Sequence, residues 1–372
     1  MLPRFISRRY LSSEPLVKFQ IENKCGIITL NRQKAINALN LEMVRLIYPK
    51  LKDWSKDSQI SHILIEGAGT KGFCAGGDVQ SVVKSPIEEA SKFFFEEYRL
   101  NHLTSCLKKP YIAIIDGIVM GGGVGLSVHG PFRVSTERSL FAMPETLIGL
   151  FPDVGGGHFL PRLPHKGLGL YLALTGYRLK GSDLKHAGIS THHINSSDLD
   201  NLKTELKMKT DDNKPVNEIL DKFSTPNLPP FTLEGYLGFI QKHFSLDHKT
   251  PNDYSDVEIL IDKLKKESFS GNEFATKTLE QLNRMSPLSL KITYRQLLEG
   301  SSKSLEEVLK MEYRMAIGCL RSNDFREGVR ALLIDKDNSP NWSPIRLDHV
   351  TSRCIEKFFS PLADEWHLEK DL

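Results

Sequence analysis

The stretch "PYIAIIDGIVMGGGVGLSVHG", residues 110–130, decides how the rest of the chain is read. Its first half is an unbroken apolar run, its middle a glycine triplet, and its end an apolar stretch with small residues. This order predicts a buried strand, a glycine turn and a helix. Ten of the 27 glycines fall between Gly117 and Gly157, so the backbone there must approach something closely. Where a chain leaves a strand and opens a helix, the first amides lack acceptors and the helix dipole favours negative charge. Such a turn can hold a phosphate or stabilise an oxyanion.

The flanking sequence repeats the same rhythm. "VKFQIENKCGIITL" (17–30) alternates apolar residues, breaks at Asn23 and Lys24, and resumes, which is the pattern of a β-hairpin. "NLEMVRLIYPKLKDW" (40–54) spaces Met43, Leu46 and Ile47 on one helical face, with Asn40 placed to cap it. "HILIEGAG" (62–69) predicts a buried strand ending in glycines, residues 87–109 a long helix, and "FRVSTERSLFAM" (132–143) two short strands. Strand and helix in alternation define the α/β class. From about residue 178 the chain turns polar, with Lys- and Asp-rich loops over 196–214 and a proline cluster at 226–230. We therefore expect an α/β core over residues 15–225 and a mainly helical C-terminal region, 226–372, packed on it.

Composition removes several function classes. No stretch of the 372 residues approaches 18 consecutive apolar positions, so no membrane partner is expected. The five cysteines are scattered without C-x-x-C spacing, which indicates neither a disulfide framework nor a metal site. Residues 1–13, MLPRFISRRYLSS, carry three arginines and no acid, the composition of a mitochondrial transit peptide, and a reducing compartment such as the matrix fits the cysteines. Without those three of its 49 basic residues the chain balances its 46 acids, so no nucleic-acid partner is expected.

A second glycine loop, "GTKGFCAGGD" (69–78), follows the strand at 62–69. Neither loop has the glycine-lysine order of a P-loop or the spacing of a dinucleotide fingerprint, so no nucleotide or redox cofactor is called for. The two loops in this order, followed by "FAMPET", "GLFPDVGGG" and "FLPRL", resemble the crotonase (enoyl-CoA hydratase/isomerase) superfamily over residues 17–195, and "DFREGVRALLIDKDNSPNW" is similar to that family's closing helix. The resemblance implies a ββα spiral core and an acyl-CoA substrate whose thioester oxygen is held by two backbone amides. By motif these are Ala75, in "FCAGGD", and Gly122, the middle of the triplet.

Hydratases of the family carry two glutamates, one on the helix after the triplet and one after the next strands. Here the first position is Gly125 and the second Glu145, in "MPET". That departure speaks against paired addition of water and for the branch that hydrolyses 3-hydroxyacyl-CoA thioesters, which shares the acid at Asp153. The resemblance then implies Glu145 as base or nucleophile, Asp153 beside the substrate hydroxyl, and an acid of the 87–109 helix beside the acyl group, with Glu97 preferred over Glu96. Apolar neighbours of both loop acids tend to raise their pKa values independently of any family. The bland readings are a helix start for Glu145 and an N-cap for Asp153. Cys74 with His129 or His158 is a competing but weaker nucleophile pair. Lys71 is the nearest basic residue for CoA phosphates. The family assembles as trimers, paired trimers or smaller forms, so a homo-oligomer is open, as is a ribosomal association, since folds of this kind resemble components of some mitochondrial ribosomes.

Overall fold

The computed structural model describes residues 14–209, 215–246 and 256–363, so the arginine-rich segment 1–13 lies outside the described residues. The hairpin read from 17–30 is present: β1 (Val17–Glu22) pairs antiparallel with β2 (Cys25–Leu30). Helix α1 (Leu41–Lys56) follows, its N-cap Asn40 accepting a hydrogen bond from the Met43 amide at 2.9 Å. After it the chain winds in successive turns of strand, short strand and helix. The second turn is β3 (His62–Gly67), β4 (Gly72–Cys74), α2 (Val79–Lys84) and α3 (Ile87–Ser105). A third is β5 (Tyr111–Ile115), β6 (Ile118–Met120) and α4 (Gly122–Val128). The last complete turn is β7 (Phe132–Ser135), β8 (Leu140–Ala142) and a 3₁₀ turn at Glu145–Ile148.

Within each turn the two strands go to different sheets. The longer ones build a six-stranded sheet in the order β1-β2-β3-β5-β7-β10, where β10 is His192–His193, and the shorter ones a four-stranded sheet β4-β6-β8-β9, where β9 is Leu179–Lys180. This is the ββα spiral of the crotonase fold. The apolar run 111–120, expected as one strand, is two: Asp116 and Gly117 (φ +76°) turn the chain from the large sheet into the small one. Unbroken hydrophobicity hides that corner, because both strands are buried.

Beyond His193 every described element is helical. A single apolar core runs from Val17 to Phe359, so the C-terminal helices share it with the spiral rather than enclosing one of their own. A smaller apolar cluster lies on the other face of the large sheet, where Leu199, Leu202 and Leu206 cover Ile27, Leu64 and Ile112. No helix among the described residues is long and apolar enough to cross a membrane.

Candidate active site

Strands β4, β6 and β8 are parallel neighbours, with Gly72 paired to Ile118 and Met120 reached by Ala142. They therefore end at the same edge, about 4.8 Å apart from one to the next. The segments leaving that edge are the first glycine loop, the glycine triplet and "MPET". Three distant stretches of sequence thus become adjacent because each follows a short strand of one sheet. Between them and α3 lies a cavity of about 280 Å³ whose wall includes Ala75, Gly77, Glu97, Gly121, Gly122, Glu145 and Asp153. All five residues singled out from the sequence for the site line it. A larger cavity, about 560 Å³, opens among the C-terminal helices around Arg314, Arg321 and Lys357. Its wall has no carboxylate and no glycine turn, so the candidate chemistry belongs to the smaller one.

The expectation for Ala75 as an amide donor is corrected by the geometry. Its N–H already donates to the Ile36 carbonyl at 3.0 Å, which turns it away from the cavity. Two residues on, Gly77 forms a parallel bridge with Leu39, in which Leu39 N–H donates to Gly76 C=O and Asp78 N–H to Leu39 C=O. In that ladder the amide of Gly77 itself points to the opposite side. It lies 3.3 Å from the position a Cβ on Gly122 would take, which puts it beside the triplet. Gly122 and Gly123 open α4, and a helix's first amides have no partner within the helix. Gly77 and Gly122 are thus the pair of amides that meet at the cavity, and the motif "AGGD" alone does not distinguish Gly77 from Ala75.

The three acids are buried together, at 2–5% exposure for Glu97, Glu145 and Asp153. Glu145 begins a 3₁₀ turn after Pro144, so the helix-start reading describes its backbone. Its side chain does something else: Oε1 lies 2.9 Å from where a Gly121 Cβ would be, and Oε2 is buried with no hydrogen-bond partner. Burial, and then the nearby Asp153 charge, holds its pKa well above the usual carboxylate range. Asp153 does not cap a helix. The cap position of the short helix Gly156–Phe159 is Gly155, and the Asp153 carboxylate instead accepts the Tyr98 hydroxyl at 2.9 Å. Burial raises its pKa, opposed by that hydrogen bond. Of the α3 pair, Glu97 turns inward with an unpartnered buried Oε1, while Glu96 faces outward to Arg45 at 2.6 Å. Burial and the Asp153 charge raise the Glu97 pKa too.

At Gly125 the structure leaves no room for a side chain. An added Cβ would sit 2.7 Å from Val154 Cβ and 2.8 Å from Asn101 Nδ2. Cys74 is fully buried behind the first loop and its thiol pKa is pushed up to about 12 by burial, so it is a packed thiol rather than a nucleophile. Cys74→Ala is accordingly expected to leave catalytic turnover close to wild type in a rate assay, at a modest cost in thermal stability from the small void. His129 bonds through Nε2 to the Val154 carbonyl at 2.7 Å and burial lowers its pKa to about 4, a structural neutral imidazole. Lys71 is exposed and is not part of the cavity wall, whereas the exposed Arg178 is. The sequence reading also missed Leu332 and Leu333, which reach the cavity from the far C-terminal stretch. They arrive because Gly328 of helix Asn323–Val329 packs directly on the Ile148 backbone and Asp324 backbone on Gly149 (φ +73°), contacts that side chains at those glycines would block. Among the described residues no group of three His, Cys, Asp or Glu is placed to hold a metal ion.

The sequence model of the enoyl-CoA hydratase/isomerase family matches residues 25–359, and the chain belongs to that family. Among curated proteins it is 52% identical to "3-hydroxyisobutyryl-CoA hydrolase, mitochondrial" of Xenopus tropicalis, covering 91% of this chain and 87% of that one. It is 50% identical to the Homo sapiens protein of the same name, covering 91% and 86%. Among solved structures, a carnitinyl-CoA dehydratase from Mycobacterium thermoresistibile superposes with a TM-score of 0.85 at 34% identity, covering 96% of this chain and 99% of that one. An enoyl-CoA hydratase from Rhodobacter sphaeroides 2.4.1 gives 0.82 at 31% identity, covering 94% and 98%.

Proposed function

We propose that this protein hydrolyses the thioester of 3-hydroxyisobutyryl-CoA to 3-hydroxyisobutyrate and free CoA, as a step of valine breakdown in the mitochondrial matrix. The observation that carries it is at Gly125: Glu145 faces the glycine triplet, while the place of a hydratase's other glutamate is filled by Val154 and Asn101. The names of the relatives at 50–52% identity support the substrate and the compartment.

The thioester oxygen accepts hydrogen bonds from the amides of Gly77 and Gly122, which stabilise the negative charge that develops on it as the carbonyl is attacked. Ionised Glu145 takes a proton from water as the water oxygen bonds to the acyl carbon. The C–S bond then breaks and that proton passes to the departing sulfur. In the alternative route Glu145 itself bonds to the acyl carbon as the C–S bond breaks and the CoA thiolate leaves; water then opens the anhydride, its oxygen going to the acyl carbon and a proton to the thiolate, which returns Glu145 as a carboxylate. Asp153, steadied by Tyr98, accepts the substrate's 3-hydroxyl, and Glu97 contacts the acyl group. Arg178 at the wall supplies positive charge for the CoA phosphates.

Release of thiol from 3-hydroxyisobutyryl-CoA, followed with a thiol reagent, tests this reading directly. Turnover is expected there, with no loss of absorbance from crotonyl-CoA under the same conditions. Hydration of crotonyl-CoA without thiol release would replace the hydrolase with a hydratase. Because a hydrogen bond to a charged group is worth about 1.5–3 kcal/mol, Asp153→Asn is expected to lower kcat/KM for the hydroxylated substrate roughly 10- to 100-fold. Isobutyryl-CoA, which lacks the hydroxyl, should be affected much less, as parallel progress curves will show.

A further inference from the structure

Asp153 opens a turn whose backbone does not favour its own conformation. Val154, fully buried and β-branched, has φ +52°, and Gly155 follows at +85°. A β-branched residue in the left-handed region is an outlier that persists only when its surroundings impose it.

Two buried side chains, Gln296 and Glu312, and the half-buried His129 impose it here. His129 bonds to the Val154 carbonyl, and because burial keeps its ring neutral the Nε2 atom carries the proton that it donates. Gln296, on helix Pro287–Gly300, donates to the Pro152 carbonyl at 2.7 Å. Glu312, on helix Leu305–Arg321, accepts from the Gly155 amide at 2.7 Å and from the Gly157 amide at 2.9 Å, and Gln296 donates to it at 2.8 Å. Glu312 is wholly buried, and neither it nor Gln296 lines the cavity. Every one of these bonds to the turn ends on the backbone of residues 152, 154, 155 or 157, on either side of Asp153. A carboxylate that only filled space would not need both of its oxygens on the amides of Gly155 and Gly157, in the turn that carries the Asp153 carboxylate. Two C-terminal helices thereby control the position of a side chain contributed by the spiral.

We propose that Glu312, acting with Gln296, is a positioning residue that holds Asp153 against the 3-hydroxyl of the substrate, and so sets the preference for hydroxylated acyl thioesters. The inference rests on the reading of Asp153 given above. Glu312→Gln replaces one accepting oxygen by an NH₂ that faces a backbone N–H, which releases one end of the turn without changing the side-chain volume. The measured quantity is the ratio of kcat/KM for 3-hydroxyisobutyryl-CoA to that for isobutyryl-CoA, compared across wild type, Glu312→Gln and Asp153→Asn. A misplacement of about 1 Å can cost about 10²-fold, so the ratio is expected to fall tenfold or more in Glu312→Gln while isobutyryl-CoA turnover changes little. A purely structural role would lower the melting temperature and leave the ratio intact. If Asp153→Asn collapses the ratio but folded Glu312→Gln keeps it, the positioning role is wrong and the reading of Asp153 stands. If Asp153→Asn keeps the ratio, both fall. Should Glu312→Gln fail to fold, Gln296→Leu frees the Pro152 carbonyl from the same clamp and is read by the same ratio, with an unchanged value overturning the proposal.

Discussion

Glu145→Gln is expected to lower kcat for 3-hydroxyisobutyryl-CoA by about 10²- to 10⁴-fold, the range of a lost general base. Gln keeps the shape and removes the proton acceptor, so KM should move little, and a stopped thiol-release assay at saturating substrate separates the two. The wild-type rate should also fall with acid at a higher pH than a free glutamate would give, since burial and the Asp153 charge raise the pKa of this group. The same shift has a consequence for stability. A carboxyl whose pKa is higher in the folded protein than in the unfolded chain stabilises the fold below the unfolded value and loses that contribution as pH rises through the folded one. The wild type should therefore lose stability as pH rises from the ordinary value of 4.5 through the raised folded one, and Glu145→Gln, relieved of a buried charge near two other acids, should melt higher at the upper end of that range. A gain of about 1–3 kcal/mol fits the size of effects from unpaired buried charges. Thermal scans of both proteins from acid, below the ordinary carboxylate value, up into the alkaline range check it: parallel curves would remove the premise that Glu145 ionises in a dry, crowded site.

The second large effect is expected at Gly122. A methyl group there would collide with Glu97 Oε1 and come within 3.3 Å of the Gly77 amide, the proposed partner of the Gly122 amide in holding the thioester oxygen. Gly122→Ala should therefore cost about 10²- to 10³-fold in kcat, the loss typical of one missing oxyanion donor, because the triplet must move away from Gly77 to make room. Gly77→Ala is the informative companion. Its added Cβ would meet only the rim of the Phe93 ring, at 3.0 Å and 3.2 Å, which a rotating side chain can relieve. Strong loss at Gly122 with mild loss at Gly77 is the expected pair in a steady-state comparison. Near-wild-type turnover of Gly122→Ala would place the oxyanion elsewhere.

Much of this site was legible in the sequence because its residues announce themselves by type. Acids among apolar neighbours, as at Glu145 and Asp153, stand out as site candidates beside their bland readings as a helix start and an N-cap, and glycines in excess mark close approach of the backbone. The preference for Glu97 over Glu96 came from the family resemblance, and the structure turns Glu97 inward on the helix that buries Phe93, Phe94 and Tyr98. Ala75 shows where this kind of reading stops. A loop motif names a handful of amides, but which one is unpaired depends on Ile36 and Leu39, forty residues earlier, taking the others. Lys71 and Arg178 differ in the same way: proximity along the chain favoured the first, while the wall of the cavity contains the second.

By itself the sequence determined most of the strand and helix order and the acids set among apolar neighbours, through local period and residue chemistry, while the meaning of Gly125 as the place of a missing hydratase glutamate came from its resemblance to the crotonase family. Only the tertiary structure decided that β4, β6 and β8 share one sheet edge, that Gly77 rather than Ala75 offers its amide, and that Glu312 and Leu333 serve a site more than 150 residues before them. Those are matters of which backbone groups are left unpaired and which surfaces meet after the chain has closed on itself, and no local pattern encodes them.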